Sequence, residues 1–85
     1  MSNINKLSNN LALQVAQEAR KSAEHLAENH GDLSPSRQLA VYSHATDHIA
    51  EARLLSSGPE GAAELMIFRA EKALDSYREA LAGGQ

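Results

Sequence analysis

Two histidines and a glutamate in the middle of the chain have the residue types and the spacing of metal ligands. His44 and His48 are four residues apart, and Glu51 follows three residues later. On an α-helix, residues three or four apart lie on one face about a turn from each other, which brings the three side chains into line. Imidazole nitrogens and carboxylate oxygens bind zinc and related divalent cations. The spacing therefore predicts a candidate metal site at His44, His48 and Glu51.

A second interpretation of this segment needs no metal. A zinc site uses three or four protein ligands, so any further ligand must come from elsewhere in the fold. The segment also lacks the glutamate that directly follows the first histidine in metalloprotease helices, because Ala45 stands there. We therefore favour a solvated polar edge of a helix, with His48 packed partly against the core, and we expect no cofactor.

Other patterns that support catalysis are missing from the sequence. The chain has no cysteine, which excludes disulfides, thiolate-bound zinc and a thiol nucleophile within it. It has no Gly-x-Ser-x-Gly nucleophile segment and no glycine-rich phosphate loop followed by lysine. Glu71 and Asp75 stand beside Lys72 and Arg78, as is typical of a solvated helix surface. The sequence therefore does not indicate an enzyme.

Two breaks divide the chain into three long helical segments. Gly31 can adopt the left-handed conformation that ends a helix, and Ser34 with Pro35 has the pattern of a cap and first turn for the next helix. Gly58 followed by Pro59 repeats this stop and start. No segment alternates apolar and polar residues as a strand does. The predicted helices cover residues 4–29, 35–57 and 59–82.

Three helices of similar length with short connections favour an all-α fold, an antiparallel three-helix bundle of the up-down-up type, formed as a single domain by residues 1–85. Alanine is the most frequent residue, so the core side chains are small. Because alanine buries little surface, a helical hairpin completed by dimerisation is the alternative architecture. The predicted core comprises Ile4, Leu11, Ala12, Val15, Ala19, Ala23 and Leu26 in the first helix, Val41, Tyr42, Ala45, His48, Ile49, Ala52 and Leu55 in the second, and Ala63, Ile67, Ala70, Leu74, Tyr77 and Leu81 in the third, where Met66, Ala73 and Ala80 widen the stripe.

The third helix has apolar residues on a second side. Leu65 and Phe68 are three residues apart and lie roughly opposite the stripe that passes through Ile67. A helix that is apolar all round is covered all round. Two explanations remain open: the N-terminal segment, with Ile4 and Leu7, folds over this side, or a partner binds it. The candidate partner-binding residues are Leu65, Met66, Phe68 and, as a similar outlier on the first helix, Leu13.

The charge balance argues against nucleic acid as the main partner. Eight basic and eleven acidic residues give a formal net charge of −3. Acidic residues interrupt the basic ones, and no aromatic residue is interleaved with them for base stacking. No apolar run approaches the ~20 residues that span a membrane. A small domain without cysteine is typical of a reducing compartment, which predicts a cytoplasmic location.

These features predict a non-enzymatic function. We expect a small cytosolic protein-interaction module (an adaptor, a regulator or a chaperone-like protein) that self-associates or binds a partner protein through apolar helix faces. Its expected partner is another protein or a second copy of the chain, which would give a homo-oligomer, and no membrane partner is expected. A metal-binding helical protein that uses the His44–His48 pair is the alternative function. A small helical nucleic-acid-binding regulator is the second alternative.

Overall fold

The computed structural model describes the backbone of residues 2–56 and 61–83, and the side chains of residues 10–56 and 61–83. Three α-helices account for nearly all of this: α1 (Ser2–Asn29), α2 (Pro35–Leu55) and α3 (Ala62–Gly83). The described residues form no strand. None of the helices in this part of the chain is long and apolar enough to cross a membrane.

The three helices pack into an elongated bundle of about 52 × 20 × 15 Å. α1 packs along both α2 and α3, which contact each other less extensively. Contacts between α2 and α3 pair Gln38 with Tyr77 and, further along α2, Arg53 with Glu71. The numbering rises on α2 while it falls on α3, so these helices are antiparallel. The predicted all-α three-helix bundle is confirmed.

The first connection is a tight turn with a well-formed cap. After Asn29 the chain continues into a single 3₁₀ turn, in which the Leu33 amide donates to the His30 carbonyl at 3.1 Å. The prediction that Gly31 ends the helix in a left-handed conformation is wrong, because no glycine in the described ranges has a positive φ. The predicted cap is confirmed: the Ser34 hydroxyl accepts from the Arg37 amide at 3.2 Å.

Of the second connection, only the residues next to α2 and α3, Ser56 and Gly61, are described. Ser56 follows the last residue of α2, and its amide donates to the Ala52 carbonyl at 2.9 Å. The predicted stop at Gly58 and start at Pro59 fall in residues 57–60, outside the described ranges. α3 begins at Ala62. The Gly61 carbonyl, just before it, accepts from the Glu64 amide at 3.1 Å.

The core is mostly alanine on the central helix and a mixture of alanine and larger residues on the helices beside it. The fully buried residues of α1 follow one another at helical spacing of four and three: Ala12, Ala16, Ala19, Ala23 and Leu26. The buried residues of the other helices are Ala45, Ile49 and Ala52 on α2 and Ala63, Ile67, Ala70, Leu74 and Tyr77 on α3. Alanines allow the helix backbones to approach closely, but each contributes less than the ~1.5–3 kcal/mol of a buried leucine or isoleucine.

Three predicted core residues are wrong. Ala80, predicted to widen the stripe of α3, is exposed. Leu11 is 43% exposed, because the buried stripe of α1 runs through Ala12 and through Ala16, which the prediction omitted. Leu81 is half exposed. It follows Tyr77 by one turn, and Tyr77 already packs edge-on against His30, beyond the end of α1. Ile4 lies outside the residues whose side chains are described.

The side chain of Gln38, on α2, is hydrogen-bonded both to the first connection and to α3. The Gln38 amide nitrogen donates to the His30 and Leu33 carbonyls, each at 3.0 Å. Its amide oxygen accepts from the Tyr77 hydroxyl at 2.9 Å. This one side chain satisfies two carbonyls of the turn and fixes α3 against α2 at this end of the bundle.

Candidate functional site

The apolar side of α3 that faces away from the core is open to solvent. Ile67 is 1% exposed, whereas Leu65 is 50% exposed and Phe68 is 57% exposed. The backbone of residues 2–9 continues α1, and Leu65 and Phe68 remain half exposed. The explanation in which Ile4 and Leu7 cover this side falls on side chains outside the described ranges.

The other two predicted partner-binding residues have a different environment. Met66 is half-buried and packs against the core, so it belongs to the edge of the α3 core stripe. Leu13 is also half-buried, on α1. The most exposed large apolar residue is Leu54 of α2, at 87%, which stands on another helix. The exposed apolar side of α3 therefore consists of Leu65 and Phe68.

Two cations accompany these apolar residues. The Lys72 ammonium lies 5.9 Å from the centre of the Phe68 ring, within the range of a cation–π contact. Arg69 is exposed beside Phe68 in the chain. We call Leu65, Phe68, Arg69 and Lys72 the Phe68 face. An open depression of about 440 Å³ runs along it and is lined by Glu24, Phe68, Arg69, Lys72, Ala73 and Ser76.

Most cationic side chains in the described ranges form an ion pair, whereas the two cations of the Phe68 face form none. The ion pairs between described residues are Arg20–Glu24, Lys21–Glu18, Arg53–Glu71 and Arg78–Asp75. Arg69 and Lys72 take part in none of them. The sequence analysis missed this arrangement, although the spacing of Phe68 and Lys72, one helical turn apart, is a signal that could have found it.

The two histidines of the candidate metal site lie together on α2. The ring centres of His44 and His48 are 4.0 Å apart, and His48 Nδ1 lies 2.8 Å from the His44 carbonyl oxygen. A carbonyl can only accept a hydrogen bond, so Nδ1 carries the hydrogen and the lone pair of His48 is on Nε2. Glu51 does not complete a site: no three His, Asp or Glu side chains among the described residues are grouped to hold a metal ion.

Metal binding by this pair is therefore expected to be weak. A metal ion at a free concentration of about 100 times the Kd of its site would stabilise the folded state by ~2.7 kcal/mol. Each kcal/mol raises the melting temperature of a domain of this size by roughly 4–8 °C. With two imidazoles and no third ligand grouped with them in the described residues, we expect a smaller rise than that when thermal melting is followed in excess zinc or nickel. A large rise that His44→Ala abolishes and His25→Ala preserves would contradict this and establish a site completed by further ligands.

A second apolar depression lies near the C-terminal end of α3, between that helix and the start of α2. It has a volume of about 380 Å³ and is lined by Pro35, Gln38, Leu39, Tyr42, Tyr77, Arg78 and Leu81. Leu39 is well exposed there and Leu81 half exposed. The sequence analysis missed this feature, although Pro35, Leu39 and Tyr42 follow one another at helical spacing and could have indicated it.

The polar groups of this second depression are already engaged. Arg78 donates to the Tyr42 hydroxyl and to the Asp75 carboxylate, each at 2.5 Å. The pKa of the Arg78 guanidinium is raised above its usual value, mainly by the hydrogen bond to Asp75 and further by that to Tyr42. Tyr77 and Gln38 bind each other. The depression therefore combines apolar surface with polar side chains that already bind one another.

Comparison with known protein families, with characterised proteins and with solved structures finds no match to this chain.

Proposed function

We propose that this chain is a small helical protein-interaction module whose partner binds the Phe68 face. One observation carries the proposal: Phe68 and Leu65 are half exposed on α3, while their neighbour Ile67 is buried. Large apolar side chains grouped on one helix face, with charged residues around them, are the usual anchors of a protein interface.

The free energy of binding expected from these anchors is large enough to support a measurable affinity. Full burial of a leucine or phenylalanine side chain yields ~1.5–3 kcal/mol relative to exposure, and each 1.4 kcal/mol corresponds to about tenfold in affinity. Leu65 and Phe68 are already half-covered, so a partner gains part of that amount from each. Two such residues support a specific contact of modest affinity, in keeping with an adaptor or regulator.

The cellular setting belongs to the same proposal. We place the module in the cytosol, because the chain has no cysteine with which a small extracellular domain would be reinforced by disulfides. A second copy of the chain is the alternative partner. Light scattering over a range of concentrations distinguishes the two, since a homodimer through this face dissociates on dilution and in Phe68→Asp.

The binding prediction is tested by selecting helical peptides from a display library on the immobilised wild-type protein. The enriched peptides are expected to lose roughly tenfold or more in affinity for Phe68→Asp, because an aspartate cannot enter an apolar contact without losing its hydration. Leu54→Asp is the matched control: it introduces the same charge at a more exposed apolar residue, on α2. It should bind the peptides as the wild type does.

Two results would overturn the proposal. One is a set of enriched peptides that bind Phe68→Asp as tightly as the wild type. The other is the failure to enrich any peptide with a protein that is monomeric in light scattering at all concentrations.

A further inference from the structure

We infer that the partner presents an acidic amphipathic helix to the Phe68 face; this inference rests on the proposed function and adds the chemistry of the partner. The length of the depression accommodates about two turns of a helix. Its α3 residues recur at helical spacing from Phe68 through Lys72 to Ser76, a length of about 12 Å at 1.5 Å per residue. Glu24 of α1 forms its other wall. A partner helix laid in such a groove places an apolar stripe against Phe68.

The charges of the face favour acidic residues beside that stripe. Arg69 and Lys72 make no ion pair with any residue in the described ranges, whereas Glu24 is already bound by Arg20 at 2.8 Å. The depression therefore has two uncompensated positive charges and one neutralised carboxylate. A partner with carboxylates flanking its apolar residues would meet both cations and be steered towards the face.

A second copy of the chain is disfavoured in one of its two orientations. A two-fold dimer places the same patch of both copies against itself. With the two α3 helices parallel, a contact centred on Phe68 would bring Arg69 and Lys72 close to their own counterparts, and like charges opposed across an interface cost free energy. With the helices antiparallel, Lys72 would face Glu64 of the other copy, so the oligomeric state is one of the outcomes of the test below.

Nucleic acid also fits less well. Phosphate binding depends on several cations along a backbone, and affinity falls with each one missing. The Phe68 face has two, and the chain as a whole has a formal net charge of −3. The single aromatic ring is already covered in part by Lys72. An acidic protein segment matches both the number and the sign of the charges.

The test uses three helical peptides of about 20 residues that share one leucine stripe and differ only in the flanking residues, which are glutamate, glutamine or lysine. Fluorescence anisotropy with the full chain measures each affinity. We expect the glutamate peptide to bind roughly tenfold or more tighter than the lysine peptide. The difference should shrink as the salt is raised to ~0.3 M, because exposed charges are screened.

Charge-reversal variants identify the cations responsible. Arg69→Glu and Lys72→Glu should each weaken the glutamate peptide and strengthen the lysine peptide. Arg37→Glu is the matched control, because Arg37 is an exposed arginine at the start of α2 and likewise takes part in none of the observed ion pairs. It changes the net charge equally and should leave the order of the peptides unchanged.

The outcomes separate this inference from the proposed function. If all three peptides bind equally and Phe68→Asp abolishes their binding, the acidic partner is wrong and the interaction module stands. If Phe68→Asp has no effect on any peptide, both fail. Binding of a single-stranded DNA oligonucleotide that Lys72→Glu abolishes, or a homodimer that Phe68→Asp dissociates, would also overturn the acidic partner.

Discussion

Replacing Ala16 by leucine is expected to destabilise the bundle by about 1–3 kcal/mol. Ala16 is fully buried on α1, the helix that packs against both of the others. Its neighbours along the stripe are alanines, so the helices meet at a distance set by methyl groups. A leucine adds three carbon atoms to an interior with no space for them, and must push α1 away from its partners or adopt a strained rotamer.

Thermal and urea unfolding measure this effect, with roughly 4–8 °C of melting temperature expected for each kcal/mol. Ala80→Leu is the control, since Ala80 is exposed on α3 and leucine is nearly as good a helix former as alanine. Its stability should match that of the wild type. If Ala16→Leu proved as stable as the wild type, the close approach of the helices through alanine would be wrong.

The helical architecture could be predicted because its signals are local. Ser34 and Pro35 define the start of α2 through chemistry that involves only the next few residues, and the structure has the same cap. The position of Leu81 shows where local signals end. Leu81 continues the apolar spacing of α3, but burial also requires a neighbour, and α1 has already ended at this level. The spacing of apolar residues within one helix does not reveal where its neighbours end along its length.

The candidate site was predictable in its apolar part and only partly in its charged part. Leu65 and Phe68 stand out from the stripe through Ile67 by angular position alone, which the sequence contains. The contact of Lys72 with Phe68 is local, one helical turn apart, whereas the pairing of Arg53 with Glu71 joins two helices and depends on which helix faces meet. The number of metal ligands near His44 and His48 is likewise decided by which helix faces meet, so the spacing of two histidines could not settle it.

Substitutions at two adjacent residues of α3, Ile67 and Phe68, should distinguish an effect on folding from an effect on binding. Ile67→Asp is expected to cost on the order of 4–5 kcal/mol, because it removes a buried side chain and places an unpaired carboxylate in the core. At ~0.05–0.15 kcal/mol per residue the whole domain has a stability of roughly 4–13 kcal/mol, and its alanine-rich core favours the lower part of that range. Circular dichroism should show that Ile67→Asp loses most of its helix at 25 °C.

Phe68→Asp changes the next residue in the chain and should leave the helix content unchanged. Its side chain is 57% exposed, so the expected loss is the contact with Lys72, about 0.5–1 kcal/mol at an exposed position, and the burial of its covered part, which is less than the ~1.5–3 kcal/mol of a fully buried side chain. The pair therefore distinguishes two interpretations of the same apolar segment. If Phe68→Asp unfolds as Ile67→Asp does, the Phe68 face is part of the core and the interaction module loses its anchor. If it folds normally while peptide binding is lost, the apolar side of α3 is maintained for a partner, since the fold itself does not need it.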